Sequence, residues 1–109
     1  MKLSIADRIN LLEIMPPQAD FLTIKKIQET RDKIIFTNLE IKKYEIKLET
    51  KGDQNYWVWN KAGQNYITDI VIGEVTENEI IKILKKLSDE KNLKIYQIPL
   101  YEKFVERQV

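Results

Sequence analysis

Ser4 and Ser88 are the only serines in the chain, and neither has an imidazole to activate it, because the sequence contains no histidine and no cysteine. Acid-base or nucleophilic chemistry would therefore fall to Asp, Glu, Lys or Tyr. The same two absences remove disulfides, thiolate nucleophiles and the usual zinc sites. Both serines sit more naturally at helix ends than beside a base. Asp89 and Glu90 are adjacent and could be offered as metal ligands, yet they lie at the end of an amphipathic helix within a run of charges, which reads as a solvated face. No P-loop, G-x-G-x-x-G or E-x-x-H pattern occurs, and Gly52, Gly63 and Gly73 each fall in a turn. The residues point away from an enzyme, and they call for no cofactor and no metal.

The remaining chemistry is that of binding. In "KGDQNYWVWNKAGQNY" both tryptophans, Trp57 and Trp59, stand two residues apart. On a strand they share one face, either as core or as an aromatic anchor for a partner. The larger area favours burial of at least one of them, although Tyr56 and Val58 on the opposite face are also compatible with a core. Tyr101 and Phe104 in "LYEKFVE" are a second pair of candidate partner-binding residues. For nucleic acid the candidates are Lys42, Lys43, Lys47 and Lys51. They could neutralise phosphates, but Glu40 and Glu45 oppose them and the segment has no arginine, the residue that makes the commonest base-specific contact. Lys25, Lys26 and Lys33 are offset by Glu29 and Asp32 and read as a mixed-charge surface.

The elements that must position these residues follow from period and punctuation. Ser4 with Asp7 is a capping-box variant opening a helix that Pro16 and Pro17 end. Its apolar face holds Ile5, Ile9 and Leu12, widened by Leu11 and Met15. A second helix starts at Asp20 or Thr23, with Ile24, Ile27 and Ile34 or Ile35 as its stripe. Thr37 with Glu40 caps a short third helix whose large side chains are Leu39, Ile41 and Tyr44. The period then changes to two: "EIKLET", the turn "KGDQN" and "YWVWN" predict an antiparallel hairpin, and "YITDIVIG" predicts a third strand. Thr76 and Glu79 predict a cap for a helix from Glu77 to Lys91, with Ile80, Leu84 and Leu87 as its spine and Lys82, Lys85 and Lys86 outward. "NLKIYQIP" is ambiguous and can be a strand. After Pro99, "LYEKFVE" predicts one or two helical turns.

The length of 109 residues fits a single globular domain, residues 1–109, with a hydrophobic fraction of 43% and a charged fraction of 32% typical of a globular chain. No apolar run reaches the roughly 20 residues of a membrane span, and Asp7 with Arg8 falls where a signal peptide needs its apolar stretch. The expectation is a cytoplasmic protein with no membrane partner. A formal charge of +1 gives no overall field to steer the chain to nucleic acid, so nucleic acid is a less favoured partner than protein.

Three helices followed by a hairpin is the order of a winged-helix domain, so the predicted class is α+β and winged-helix-like, with a small antiparallel sheet of two to three strands and a long C-terminal helix. The third helix takes the recognition position and "KGDQN" the tip of the wing. Over more than half its length, in "FLTIKKIQETRDKI", "FTNLEIKKYEIK", the "WN" at Trp59 and Asn60, "LKKLSDEKNLKI" and "LYEKFVE", the chain resembles a group of short uncharacterised proteins carried by bacteriophages and other mobile elements. That resemblance implies a phage or prophage origin and supplies no catalytic residue, ligand or partner. The functional expectation is a non-enzymatic protein-binding module, an accessory or host-directed factor. The alternative is a winged-helix DNA-binding regulator. A homodimer through the helix from Glu77 to Lys91 or through "LYEKFVE" is also expected to be accessible to it.

Overall fold

A computed structural model describes residues 1–106. The first three helices begin at capping residues that the sequence marks. Helix α1 (Ile5–Ile14) is opened by Ser4, whose hydroxyl accepts from the Asp7 N–H while the Asp7 carboxylate accepts from the Ser4 N–H. Helix α2 (Phe21–Ile34) is capped by Asp20. Helix α3 (Asn38–Tyr44) has the Thr37–Glu40 capping box and ends at Glu45, which adopts a left-handed conformation with φ 51°. Each device satisfies backbone donors that the first turn of a helix leaves open.

The hairpin follows as β2 (Lys47–Lys51) and β3 (Gln54–Val58), closed by a two-residue turn in which Gly52 takes a positive φ of 65°. Glycine reaches that region without steric cost, and at the first loop position it gives the twist a tight hairpin needs. The third predicted strand forms as β4 (Ile67–Asp69) but does not extend the hairpin. It pairs antiparallel with a short N-terminal strand, β1 (Lys2–Ser4), in the register Leu3↔Thr68, so the described residues hold two separate two-stranded sheets. The class is α+β, in the winged-helix element order of three helices and a hairpin, followed by the longest helix.

That helix, α4 (Glu74–Asp89), departs from the sequence expectation at its start. It begins three residues earlier than predicted, after Gly73, and Thr76 is no cap. Thr76 is buried inside the first turn, where its hydroxyl meets that of Thr30 on α2 at 3.2 Å. A hydroxyl satisfied across a helix interface has no need of a capping role. The ambiguous segment before Pro99 is a 3-10 turn, Ile95–Gln97, that runs into α5 (Ile98–Phe104) and not a strand. No helix among the described residues is long and apolar enough to cross a membrane.

Two apolar clusters result. The larger gathers Leu3, Leu11, Met15, Ile27, Ile34, Ile70, Ile80, Leu84, Leu100, Phe104 and Val105, with α2, α4 and α5 wrapped around it. The smaller comprises Ile5, Tyr44 and Ile46, with Ile9, Phe36, Trp59 and Tyr66 packed on it. Helix α1 belongs to both, which explains why its apolar face is broad. The stripe of α4 and the aromatic end of α5 are directed into the chain's own core: Ile80, Leu84, Leu100 and Phe104 are fully buried. Of the large side chains on α3, Tyr44 alone is buried, while Leu39 is 81% exposed.

Candidate functional site

The base of the hairpin is fastened by two residues directly after β3. The backbone N–H of Asn60 donates to the Tyr44 carbonyl at 2.8 Å, and its side-chain amide donates to the Lys43 carbonyl at 3.0 Å and to Glu45 Oε2 at 3.2 Å. It thus occupies carbonyls that the end of α3 would leave open. The same side chain accepts from the Gly63 N–H and so caps the 3-10 turn Lys61–Asn65. Trp59, beside it, packs into the smaller cluster as a half-buried side chain, and its indole N–H is buried with no acceptor among the described residues. Gly63 makes this possible, since a Cβ there would lie 2.9 Å from the Trp59 ring and 3.0 Å from the Ile5 methyl. Gly63→Ala is therefore expected to lower stability by about 1 to 3 kcal/mol through overpacking, read as a drop in urea midpoint with unchanged slope.

Trp57 has the opposite fate. It lies across from Leu48 in the hairpin register, on the face that Ile46 begins, but both hairpin strands are mostly exposed. Ile46 is buried at its root, whereas Leu48 and Trp57 remain exposed, Trp57 by 43%. Trp57 touches Phe36 with ring centroids 6.5 Å apart and planes at 55°.

Phe36 joins the hairpin to a buried ion pair. The Arg8 guanidinium lies over its ring, 4.4 Å from the centroid. Arg8 is only 2% exposed and all of its nitrogens are engaged: Nε donates to the Ile34 carbonyl, Nη2 to the Ile35 carbonyl, and Nη1 and Nη2 form a fork on the Glu40 carboxylate at 2.7 and 3.1 Å. Glu40 also accepts from the Thr37 N–H and from the Tyr66 hydroxyl at 2.7 Å. These bonds, led by that from Arg8, hold its carboxyl well below the usual range, at about 2. One carboxylate thus completes the α3 cap, neutralises the buried cation of α1 and fixes Tyr66, whose ring stacks on Tyr44 at 4.3 Å. The second half of the capping box, legible in the sequence, is also the counter-ion of a buried arginine.

Between the hairpin and α1 lies an open groove of about 990 Å³. Its lining is largely apolar and aromatic: Ile9, Leu12, Ile35, Phe36, Ile41, Ile46, Tyr56, Trp57, Trp59 and Tyr96, with Asn10, Glu13, Arg31 and Asn55 as the polar groups. Asn10 donates to the Tyr96 carbonyl at 3.0 Å, which fixes that end of the wall. Such a surface can supply aromatic contact area and a few orienting hydrogen bonds. Among the described residues no group of three or more Asp, Glu, His or Cys is placed to hold a metal ion.

The candidate residues from the sequence separate accordingly. Trp57 forms a wall of the groove and Trp59 lies deeper, against the small cluster. Tyr101 and Phe104 lie outside the groove: Tyr101 is half-buried against the main core, and Phe104 is inside it, which takes it out of reach of any partner of the folded chain. Lys42, Lys43, Lys47 and Lys51 are all exposed, with Lys47 3.5 Å from Glu49 and Lys43 5.5 Å from the Tyr44 ring centre. Phe36, Ile41 and Tyr96 were not singled out as binding residues. For the first two a signal exists, because they hold the positions before the Thr37 cap and four residues after it that form a hydrophobic staple. Comparison with protein-family models, with curated proteins and with solved structures gave no match.

Proposed function

We propose that the chain is a non-enzymatic protein-binding module whose contact surface is the groove between α1 and the hairpin. The observation that supports this reading is the concentration of accessible apolar and aromatic groups there: Ile35, Ile41, Tyr56, Trp57 and Tyr96 are each at least 40% exposed, and all line one depression. Aromatic anchors at the centre of a concave patch are the residues that carry binding energy at protein interfaces, and a contiguous apolar patch on a small domain marks an interaction site. The resemblance to small phage proteins makes a bacterial host protein the partner we favour, and the cytoplasm the place of action. Affinity capture from a bacterial lysate with the wild-type chain and with Trp57→Ala tests this. Recovery of one stoichiometric protein by the wild type, lost in the variant, is the expected result. Recovery that Trp57→Ala leaves unchanged would contradict it.

The second reading is DNA binding through α3 and the hairpin, favoured by Lys42 and Lys51, which are exposed and form no ion pair among the described residues. So few lysines neutralise few phosphates. Any DNA binding should be weak, with a slope of log K against log salt on the order of 2 to 4 in magnitude. A mobility-shift titration measures it, and sequence-selective nanomolar binding at physiological salt would make this reading the better one.

A further inference from the structure

We infer that the groove takes one extended peptide segment of the partner, added as a third strand along the free edge of β3 and bonded by the backbone groups of Asn55 and Trp57. The inference rests on the protein-binding reading and specifies its mode. β2 and β3 form a sheet of two strands, so the outer edge of β3 is unpaired among the described residues. From the two hairpin strands, Asn55, Tyr56 and Trp57 line the groove, and no residue of Lys47–Lys51 does. A groove lying on a strand's face would collect every second residue, because side chains alternate. Three consecutive residues of one strand place the groove along its edge.

The register identifies the free backbone groups. A two-residue loop closes on a hydrogen-bonded pair, here Lys51↔Gln54, and such pairs alternate along an antiparallel ladder. Thr50↔Asn55 and Leu48↔Trp57 are then the pairs that exchange no backbone bonds. The side chains agree, since Thr50 Oγ1 reaches Asn55 Oδ1 at 2.7 Å across the first of these pairs. The N–H and C=O of Asn55 and Trp57 therefore point away from β2, and no other backbone group among the described residues bonds them.

The far wall selects the occupant. Ala6, Ile9, Asn10 and Glu13 of α1 line the same groove as the hairpin residues, an arrangement that suits a single segment, whereas a strand of another folded sheet would bring its neighbours with it. β3 has five residues, about 17 Å at roughly 3.4 Å each, which sets the length of the paired segment. Ile9, Ile46 and Trp59 favour apolar side chains at alternate positions of the occupant. Arg31 and Glu13, of opposite sign, favour no net charge on it.

Octapeptides selected from a random displayed library on the full chain, and kept only where Trp57→Ala abolishes capture, supply the probe. With such a synthetic octapeptide bound, the amides of Asn55 and Trp57 should become at least about tenfold more protected than in the unbound chain. N-methylation of alternate peptide residues should weaken binding by about tenfold, the equivalent of one lost hydrogen bond, and at the intervening residues by less than about twofold. An octapeptide that binds with both amides still exchanging and with no alternation overturns strand addition and leaves the groove reading standing. A library yielding no octapeptide dependent on Trp57 overturns both. A concentration-dependent dimer lost in Asn55→Pro would assign the edge to a second copy and overturn the peptide occupant.

Discussion

Glu40→Ala is expected to destabilise the chain by about 3 to 5 kcal/mol, the cost of stranding a buried cation. Arg8 keeps its bonds to the Ile34 and Ile35 carbonyls in the variant but loses its only counter-ion among the described residues. The Thr37 N–H and the Tyr66 hydroxyl lose their acceptor in the same step. Against a total stability of about 5 to 15 kcal/mol for a domain of this size, that is a large share. Chemical denaturation measures it. Replacing both partners by apolar residues of similar volume, Arg8→Met with Glu40→Leu, should recover much of the loss, because the desolvation cost disappears with the charges.

The same pair makes stability depend on acid. The folded-state pKa of Glu40 is lowered from 4.5 to about 2. A depressed carboxyl contributes stability that is fully present above the unfolded pKa and is lost as pH falls through the folded one. The contribution is on the order of 3 kcal/mol. Urea midpoints of the wild type should therefore fall between about pH 4.5 and pH 2. Those of Glu40→Gln, lower at neutral pH, should fall less over that window, and parallel pH profiles would contradict the assignment.

The second large effect separates the two tryptophans. Trp59→Ala should cost about 3 kcal/mol, since it empties the space against Ile5 and Gly63 and unfastens the hairpin root. Trp59→Phe should cost less, because it keeps part of the ring and removes a buried donor without an acceptor. Trp57→Ala should change stability by about 1 kcal/mol or less, as its ring leans on Phe36 alone among the aromatic side chains and is 43% exposed. Thermal melts of the three variants check the order. Iodide should quench the Trp57 emission remaining in Trp59→Phe far more readily than the Trp59 emission remaining in Trp57→Ala.

What was legible in the sequence was local. The Ser4–Asp7 and Thr37–Glu40 boxes and the Gly52 turn each involve residues within a few positions of one another and formed as read, and of the two starts open for α2, Asp20 and Thr23, the cap is Asp20. The failures are contacts between distant residues. Thr76 fits a capping pattern, but α4 starts at Glu74 and the Thr76 hydroxyl is met by Thr30, 46 positions away. "YITDIVIG" has the right period for a strand, yet nothing in it says that its partner is Lys2–Ser4. Arg8 stands in an amphipathic helix where an arginine is ordinarily solvated, and its burial follows only once Glu40, 32 positions on, is brought beside it.

The tryptophan pair shows the same division. Alternation put Trp57 and Trp59 on one face and left open, with Tyr56 and Val58 as the rivals, which pair joins Ile46 and Leu48; the register sets Trp57 opposite Leu48. Period cannot say where along the hairpin the body ends. That point falls between Ile46 and Leu48, so the root of the face is core and its tip is free. The groove needs Phe36, Tyr96 and the α1 wall as well, from segments far apart in the chain. Its existence therefore had no single signature in the sequence.

The most direct test of the binding account is the affinity of the captured partner for three forms of the chain, measured by calorimetry at one salt concentration: wild type, Trp57→Ala, and Leu39→Ala. Leu39 is the more exposed of the two apolar side chains and does not line the groove. The account predicts that Trp57→Ala weakens binding by about 30-fold or more, the roughly 2 kcal/mol of an interface hot spot, with Leu39→Ala within about threefold of wild type. Equal affinities for wild type and Trp57→Ala, or a loss confined to Leu39→Ala, would place the interface elsewhere and contradict it.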